Sequence, residues 1–261
     1  MNELRAIYIL WLREMKKLIR SKERILGSIA MPLMFLLFLS SSFKDSSISG
    51  VSSSVRYIDF LVPGIIGMNM LFSSMFSGIS VLWDREFGFL KEIMVAPVSR
   101  VSIALGRIAG GATTGIIQGT ILFAVSFFFG LRLDPSFSFI RMFSGILLMI
   151  VFMILISLVF LSLGLSFASN MRDAQGFELI INFVMFPIFF LSGAISPINN
   201  LPYILKILAK LNPLSYAVDG IRASLIGHSM HTLGTDLLIC SISALFMVML
   251  AAYFFERSEG V

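Results

Sequence analysis

Apolar and polar positions divide this chain into long hydrophobic runs joined by short polar segments, with one amphipathic stretch in front. In that stretch Leu4, Ile7, Tyr8, Trp11, Leu12, Met15, Leu18 and Ile19 share one arc of a helical wheel, while Arg5, Arg13, Lys16, Lys17 and Arg20 share the other. An apolar arc opposite a basic face predicts that residues 1–24 form an interfacial helix, lying where lipid headgroups meet acyl chains. Spanning the hydrocarbon then takes about 20 apolar residues, with every backbone polar group bonded inside the segment. Six runs qualify: Ile25–Phe43, which contains Pro32; Tyr57–Trp83; Ile108–Leu131, with an amphipathic lead-in from Val101; Phe139–Ala168; Phe177–Ile195; and Leu233–Phe255. The predicted fold class is an all-α membrane protein with six transmembrane helices, residues 25–261 forming the transmembrane domain.

Two connections carry more pattern than a linker needs. Between the second and third spans, residues 84–97 alternate charged and apolar residues at helical spacing and stop at Pro97. They read as a short helix across the membrane surface. Between the fifth and sixth spans, residues 196–232 carry Pro197, Pro202 and Pro213 around an amphipathic stretch whose apolar side is Tyr203, Ile204, Ile207, Leu208 and Leu211. That pattern suits a helix dipping into the interface or a re-entrant hairpin. The Ser-rich residues 40–54 read as a flexible loop.

Composition removes the soluble alternative. Hydrophobic residues make up 57% of the chain and charged residues 13%, whereas a soluble domain is about one-quarter charged. The net charge of +5 does not point to nucleic acid, because the basic residues cluster beside the spans rather than among stacking aromatics; anionic lipid headgroups are the expected counter-charge. Their distribution also orients the chain. Arg5, Arg13, Lys16, Lys17, Arg20, Lys22 and Arg24 precede the first span, and Arg85, Lys91, Arg100, Arg107, Arg172 and Arg257 fall on the same side. Lys44, Arg56, Arg132, Arg141, Lys206, Lys210 and Arg222 are all that face them. Both termini are therefore expected in the cytoplasm of a cell-membrane protein.

Candidate chemistry is sparse. The spans read as almost free of charge, which disfavours coupling to protons or sodium; Asn69, Gln118 and Asn182 read as interhelical hydrogen-bond partners. No G-x-x-x-x-G-K-[ST] loop is present to cradle a nucleotide, so any ATP that drives the protein must be hydrolysed by another polypeptide. His228 and His231 lack an H-E-x-x-H frame and read as surface residues rather than a zinc site. Asp219-Gly220-Ile221-Arg222-Ala223 faintly matches the start of the lipid-head-group phosphotransferase motif, whose later aspartates are represented by Asp236 alone. An intramembrane lipid enzyme using Asp219, Asp236 and the histidines, or a non-transporting assembly or immunity factor, are the alternatives to a transporter. No catalytic, cofactor-binding or metal-ligating residue is assigned, and Cys240 reads as packing. Gly111, Gly115 and Gly119 recur at four-residue spacing, with Gly106 and Gly110 offset, and predict a close helix crossing.

The order of these landmarks resembles the permease subunits of ABC-2 type transporters, the exporter family that includes daunorubicin-type drug permeases and polysaccharide or nodulation-factor permeases. The stretches carrying the resemblance are Arg85-Glu86 through Ala96-Pro97-Val98-Ser99-Arg100, and Phe190-Leu191-Ser192-Gly193-Ala194-Ile195-Ser196-Pro197 continuing to Asn212-Pro213-Leu214-Ser215-Tyr216 and Asp219-Gly220-Ile221-Arg222. The resemblance implies a dimer, with a second copy or a paralogue, seated on two ATP-binding-cassette subunits. It also implies that residues 84–97 are the coupling helix received by the ATPase, with Arg85, Glu86, Phe87, Gly88, Phe89 and Leu90 at that interface and the N-terminal helix assisting. Phe89 departs from the pattern, since family members often carry a small hydroxyl residue there. Few charges and abundant Phe and Met suit an amphipathic or hydrophobic cargo such as a drug, a lipid-like molecule or a glycan.

Overall fold

The computed structural model describes residues 3–43, 55–87, 99–134, 136–171 and 173–257. Among them the regular structure is helical, as expected where a backbone must satisfy itself inside lipid. The helices are α1 (Glu3–Arg20), α2 (Lys22–Ser42), α3 (Tyr57–Ser77), α4 (Ile79–Glu86), α5 (Arg100–Ser126), α6 (Phe139–Asn170), α7 (Ala174–Leu191), α8 (Tyr203–Leu211), α9 (Pro213–Ile226) and α10 (Leu233–Arg257). Among the described residues, six segments are long and apolar enough to cross a membrane: Ile25–Ser42, Tyr57–Asp84, Arg100–Ser126, Phe139–Asn170, Ala174–Leu191 and Leu233–Arg257. They coincide with the six predicted runs.

The boundaries move for local reasons. The third span begins at Arg100, because Ser99 accepts the Ser102 amide as an N-cap and makes the amphipathic lead-in continuous with the span. It ends at Ser126 rather than Leu131, because Phe127–Gly130 form a turn in which Gly130 takes φ 94°. The fifth starts at Ala174, where Asp173 accepts the Gln175 and Gly176 amides, and stops at Leu191 before Gly193 takes φ 73°.

The core is built around α3 and α6. Of the spans, Tyr57–Asp84 is the most enclosed, 72% of its most apolar window being buried, against 17% for the α2 and α10 windows and 22% for α7. Leu61, Ile65, Ile66, Met68 and Met70 of α3 join Phe152 and Phe160 of α6 in one continuous apolar cluster. Where α3 passes into α4, Gly78 crosses Gly164 of α6 at backbone contact: a Cβ at Gly164 would stand 2.5 Å from the Met75 carbonyl oxygen, and one at Gly78 2.7 Å from the Gly164 backbone. Only glycine fits at both positions, as at other close membrane crossings. Outward faces of α2, α7 and α10 carry Phe38, Phe183, Leu179, Leu245 and Ile242, all exposed, as lipid-facing or partner-facing surfaces require.

The segment between α7 and α10 is a helical hairpin with two unlike arms. Tyr203, Ile204, Ile207, Leu208 and Leu211 of α8 are exposed, whereas α9 is buried almost throughout. Pro213 at the first turn of α9 and Asn212, which accepts the Leu214 amide, start that helix. Its first turns lie deep in the bundle, with Leu214 and Val218 beside Gly67 and the Pro213 carbonyl near Cys240. Its far end returns to the bundle's end, where Gly227 takes φ 67° and closes the helix.

Candidate functional site

The end of the bundle that holds the termini is organised by one aspartate. Asp84, in the last turn of α4 where residues 84–97 begin, accepts from Arg13 of α1 at 2.6 Å and from Arg107 of α5 at 2.7 Å. The Arg107 side chain is 6% exposed and the Asp84 side chain 9%. Two arginines from different helices thus share the two oxygens of one buried carboxylate, which is the pairing a buried charge demands. The spans are therefore less charge-free than the sequence suggests: Asp59, Asp84, Arg107 and Asp236 all lie within them, near their ends.

The same end positions α1. The helix runs beside α5 in the same direction, Glu3 meeting Ser99, Leu10 meeting Gly106 and Glu14 meeting Gly110. A Cβ at Gly106 would lie 2.9 Å from that of Leu10, and one at Gly110 2.8 Å from that of Glu14. Trp11 Nε1 donates to Thr113 Oγ1 at 3.0 Å. The Glu3 carboxylate accepts the Ser99 hydroxyl at 2.9 Å, and the hydroxyl of Ser102 followed by the hydroxyl and amide of Ser99 holds it below the usual glutamate range. One face of the predicted interfacial helix is thus occupied by the protein, with Met15 and Leu18 buried, while Leu4, Tyr8 and Ile19 of the same arc remain exposed.

The glycines of α5 divide between two neighbours. Gly106 and Gly110 face α1, whereas Gly111 meets Leu161 and Ser77, Gly115 meets Met70 and Ser157, and Gly119 meets Met153 and Met70. The small residues therefore seat α5 between α1 on one side and the α3–α6 core on the other. Of the residues expected at an ATPase interface, Arg85 and Glu86 complete α4. Phe87, whose amide bonds the Trp83 carbonyl, is 73% exposed. Gly88, Phe89 and Leu90, with the rest of the segment through Val98, lie outside the described residues.

Between α2, α3 and α5 is a cavity of about 220 Å³. Met31, Met68, Phe72 and Phe76 supply apolar wall, and Asn69, Ser73, Thr114 and Gln118 supply polar wall. Gln118 accepts from the Ser73 hydroxyl at 2.6 Å, as an interhelical partner should. Asn69 is buried and its Nδ2 has no hydrogen-bond partner among the described residues.

The opposite end gathers residues that sequence spacing kept apart. Arg222 of α9 is 2% exposed, donates to the Phe60 and Gly193 carbonyls, and lies 3.7 Å from the centroid of the Phe60 ring. Asp219, one turn earlier, accepts the Met230 amide at 2.8 Å and the His231 amide at 2.9 Å. His231 Nδ1 lies 3.3 Å from Asp219 and 3.8 Å from Asp236. His231 is therefore no isolated surface residue, and Asp219, His231 and Asp236 offer ligand atoms within 4.8 Å of one another. His228 stands apart; burial and then the nearby Arg222 charge pull its imidazole below the ordinary range.

The family model described as ABC-2 type transporter matches residues 5–226. The chain belongs to that family. It is a multi-pass membrane transport permease, and its relatives agree. The ycf38 protein of Pyropia yezoensis is 32% identical over 205 residues, covering 78% of this chain and 68% of the relative. The inner membrane transport permease YadH of Escherichia coli K12 is 28% identical over 225 residues, 85% of this permease and 83% of YadH. Nodulation protein J of Rhizobium leguminosarum bv. trifolii is 28% identical over 206 residues, covering 78% and 74%. Family membership favours transport over the lipid-enzyme reading of Asp219 and Asp236. The Asp84 triad was the feature sequence reading missed, and its signal was present: an acid and a base inside otherwise apolar spans require each other.

Proposed function

We propose that this chain is the permease subunit of an ATP-driven exporter, working as a dimer with a second copy or a paralogue on two ATP-binding-cassette subunits. It sits in the cell membrane with both termini in the cytoplasm, residues 1–24 forming an N-terminal helix against the transmembrane domain of residues 25–261. Residues 84–97 are its coupling helix, with Arg85, Glu86, Phe87, Gly88, Phe89 and Leu90 meeting the ATPase. The observation that supports this most is the position of Asp84. The residue that opens the coupling segment is ion-paired to both α1 and α5, so displacement of that segment pulls on two other helices at once. Gly111, Gly115 and Gly119 let Leu161, Met70 and Met153 pack directly on the α5 backbone, so a shift of α5 is passed to α3 and α6. The cavity between α2, α3 and α5, lined by methionine and phenylalanine together with amides and hydroxyls, suits an amphipathic cargo. The permease breaks no covalent bond.

The test is a pull-down of the solubilised chain from its native membrane, followed by mass spectrometry. A cassette ATPase is expected with the wild-type chain and is expected to be lost in Phe87→Asp. Recovery of the folded chain alone, or retention of the ATPase by Phe87→Asp, would reject the coupling reading.

A further inference from the structure

We propose that Asp219, His231 and Asp236 form a divalent transition-metal site, of the kind that takes Zn2+, at the end of the bundle opposite the termini. Three elements supply the ligands: Asp219 comes from the middle of α9, His231 from the turn that follows it, and Asp236 from the first turn of α10.

The observation that separates this cluster from ordinary acidic residues is Asp236. Its side chain is 0% exposed, it points toward His231 Nδ1, and neither carboxylate oxygen has a hydrogen-bond partner among the described residues. A buried carboxylate must be paired, neutralised or bound to a metal. His231 does not resolve it, because Nδ1 is nearer to Asp219, at 3.3 Å, than to Asp236, at 3.8 Å. Arg222 does not resolve it either: its charge lies 4.0 Å from Asp219, and its donors go to the Phe60 and Gly193 carbonyls. Two carboxylates against one arginine leave a deficit of positive charge at Asp236, where a dication would sit.

The geometry and the donor set fit such an ion. Zinc bonds of roughly 2.0–2.2 Å to carboxylate oxygen and imidazole nitrogen hold tetrahedral ligand atoms roughly 3.4 Å apart; here His231 Nδ1 is 3.3 Å and 3.8 Å from the two carboxylates and all three ligand atoms lie within 4.8 Å, a spacing that side-chain rotation can close. One imidazole with two carboxylates suits zinc or manganese, whereas calcium and magnesium take all-oxygen shells with more ligands or bound waters. The groups are also held in place from outside, as metal ligands usually are. Backbone amides of Met230 and His231 fix the Asp219 carboxylate, and the Tyr216 ring packs at 5.0 Å on the His231 ring. Access is provided by an open cavity of about 230 Å³ that ends at His231 and is lined also by Tyr216, His228 and Lys210. With the ion bound, the returning arm of the hairpin and the last span are tied by one centre.

The test uses the tag-free full chain in nanodiscs, stripped with a chelator and dialysed, then titrated with Zn2+ by calorimetry. One Zn2+ per chain is expected, with affinity falling at least about 100-fold in Asp236→Asn and in His231→Gln, since even loss of a group that only supports a ligand costs about 10–100-fold. Mg2+ and Ca2+ should give no saturable heat. Co2+ should bind with visible ligand-field bands that His231→Gln abolishes. Because His231 is partly exposed, that variant keeps the test valid if Asp236→Asn does not fold. Absence of Zn2+ binding, or equal binding by wild type and His231→Gln, would overturn the proposal.

Discussion

The two ends of this permease bury charge in opposite ways. At the end with the termini, Asp84 is satisfied entirely by side chains, Arg13 and Arg107, carried on two other helices. At the opposite end, apart from the partly exposed Arg56–Asp59 pair, Asp219 is held mainly by backbone amides and Arg222 by backbone carbonyls and an aromatic face, and Asp236 has no hydrogen-bond partner among the described residues. Ion pairs between side chains can be exchanged as helices shift, so the first arrangement can transmit motion. Charges anchored to backbone fix a single geometry, so the second arrangement clamps the hairpin to the bundle.

The sharpest way to break the contrast is Asp84→Asn. It leaves the buried Arg107 without its counter-charge, and removing one partner of a buried pair costs about 3–5 kcal/mol. A large fall in the Tm of the solubilised protein is expected, and Arg107→Met in the same chain should recover much of it. Arg222→Met attacks the other end. It removes the charge-assisted bonds to the Phe60 and Gly193 carbonyls, each worth about 1.5–3 kcal/mol, and because these partners are backbone groups, neutralising Asp219 as well should restore only a minor part of the stability.

Between the ends, Gly164→Ala would force a Cβ against the Met75 carbonyl and should cost about 2 kcal/mol by overpacking. Gly234→Ala, which has nothing within 4 Å of the added atom, should cost nothing in the same thermal assay. Trp11→Phe removes the bond to Thr113 and should loosen α1 by about 1 kcal/mol, seen as faster proteolysis near the N terminus. The smallest effect is that of pH on Glu3. Its donors depress the carboxyl pKa, so its bond to Ser99 is present above the ordinary glutamate range and is lost as pH falls through the depressed value. Protection of the Ser99 amide, measured relative to the intrinsic exchange rate at each pH, should fall on acidification, and in Glu3→Gln that pH dependence should vanish.

Much of this was legible in the chain because lipid simplifies the code. A backbone that must satisfy itself shows each span as an apolar run, and the proline-bounded segment between the fifth and sixth spans marked the hairpin. The termini of the spans were less legible, since Ser99 and Asp173 act through capping geometry rather than hydropathy. Contacts far apart in sequence were least legible. Asp84 and Arg107 could be suspected of pairing, but nothing in their spacing brings in Arg13. His228 and His231 look equivalent along the chain, yet only His231 turns toward Asp219 and Asp236. Similarly, the glycine row of α5 announced a crossing but not that Gly106 and Gly110 face α1 while the other three face the core.

In the proposed exporter, the end bearing Asp84 carries the ATP-driven motion and the opposite end does not; this is the central claim. It is tested most directly by ATP hydrolysis of the purified permease–ATPase complex in nanodiscs, comparing wild type with Asp84→Asn/Arg107→Met and with Arg56→Gln, which breaks the partly exposed pair with Asp59 at the far end. The account predicts that the first variant, though folded and still bound to the ATPase, changes ATP turnover several-fold, while the second matches wild type. Equal turnover in all three proteins would contradict it.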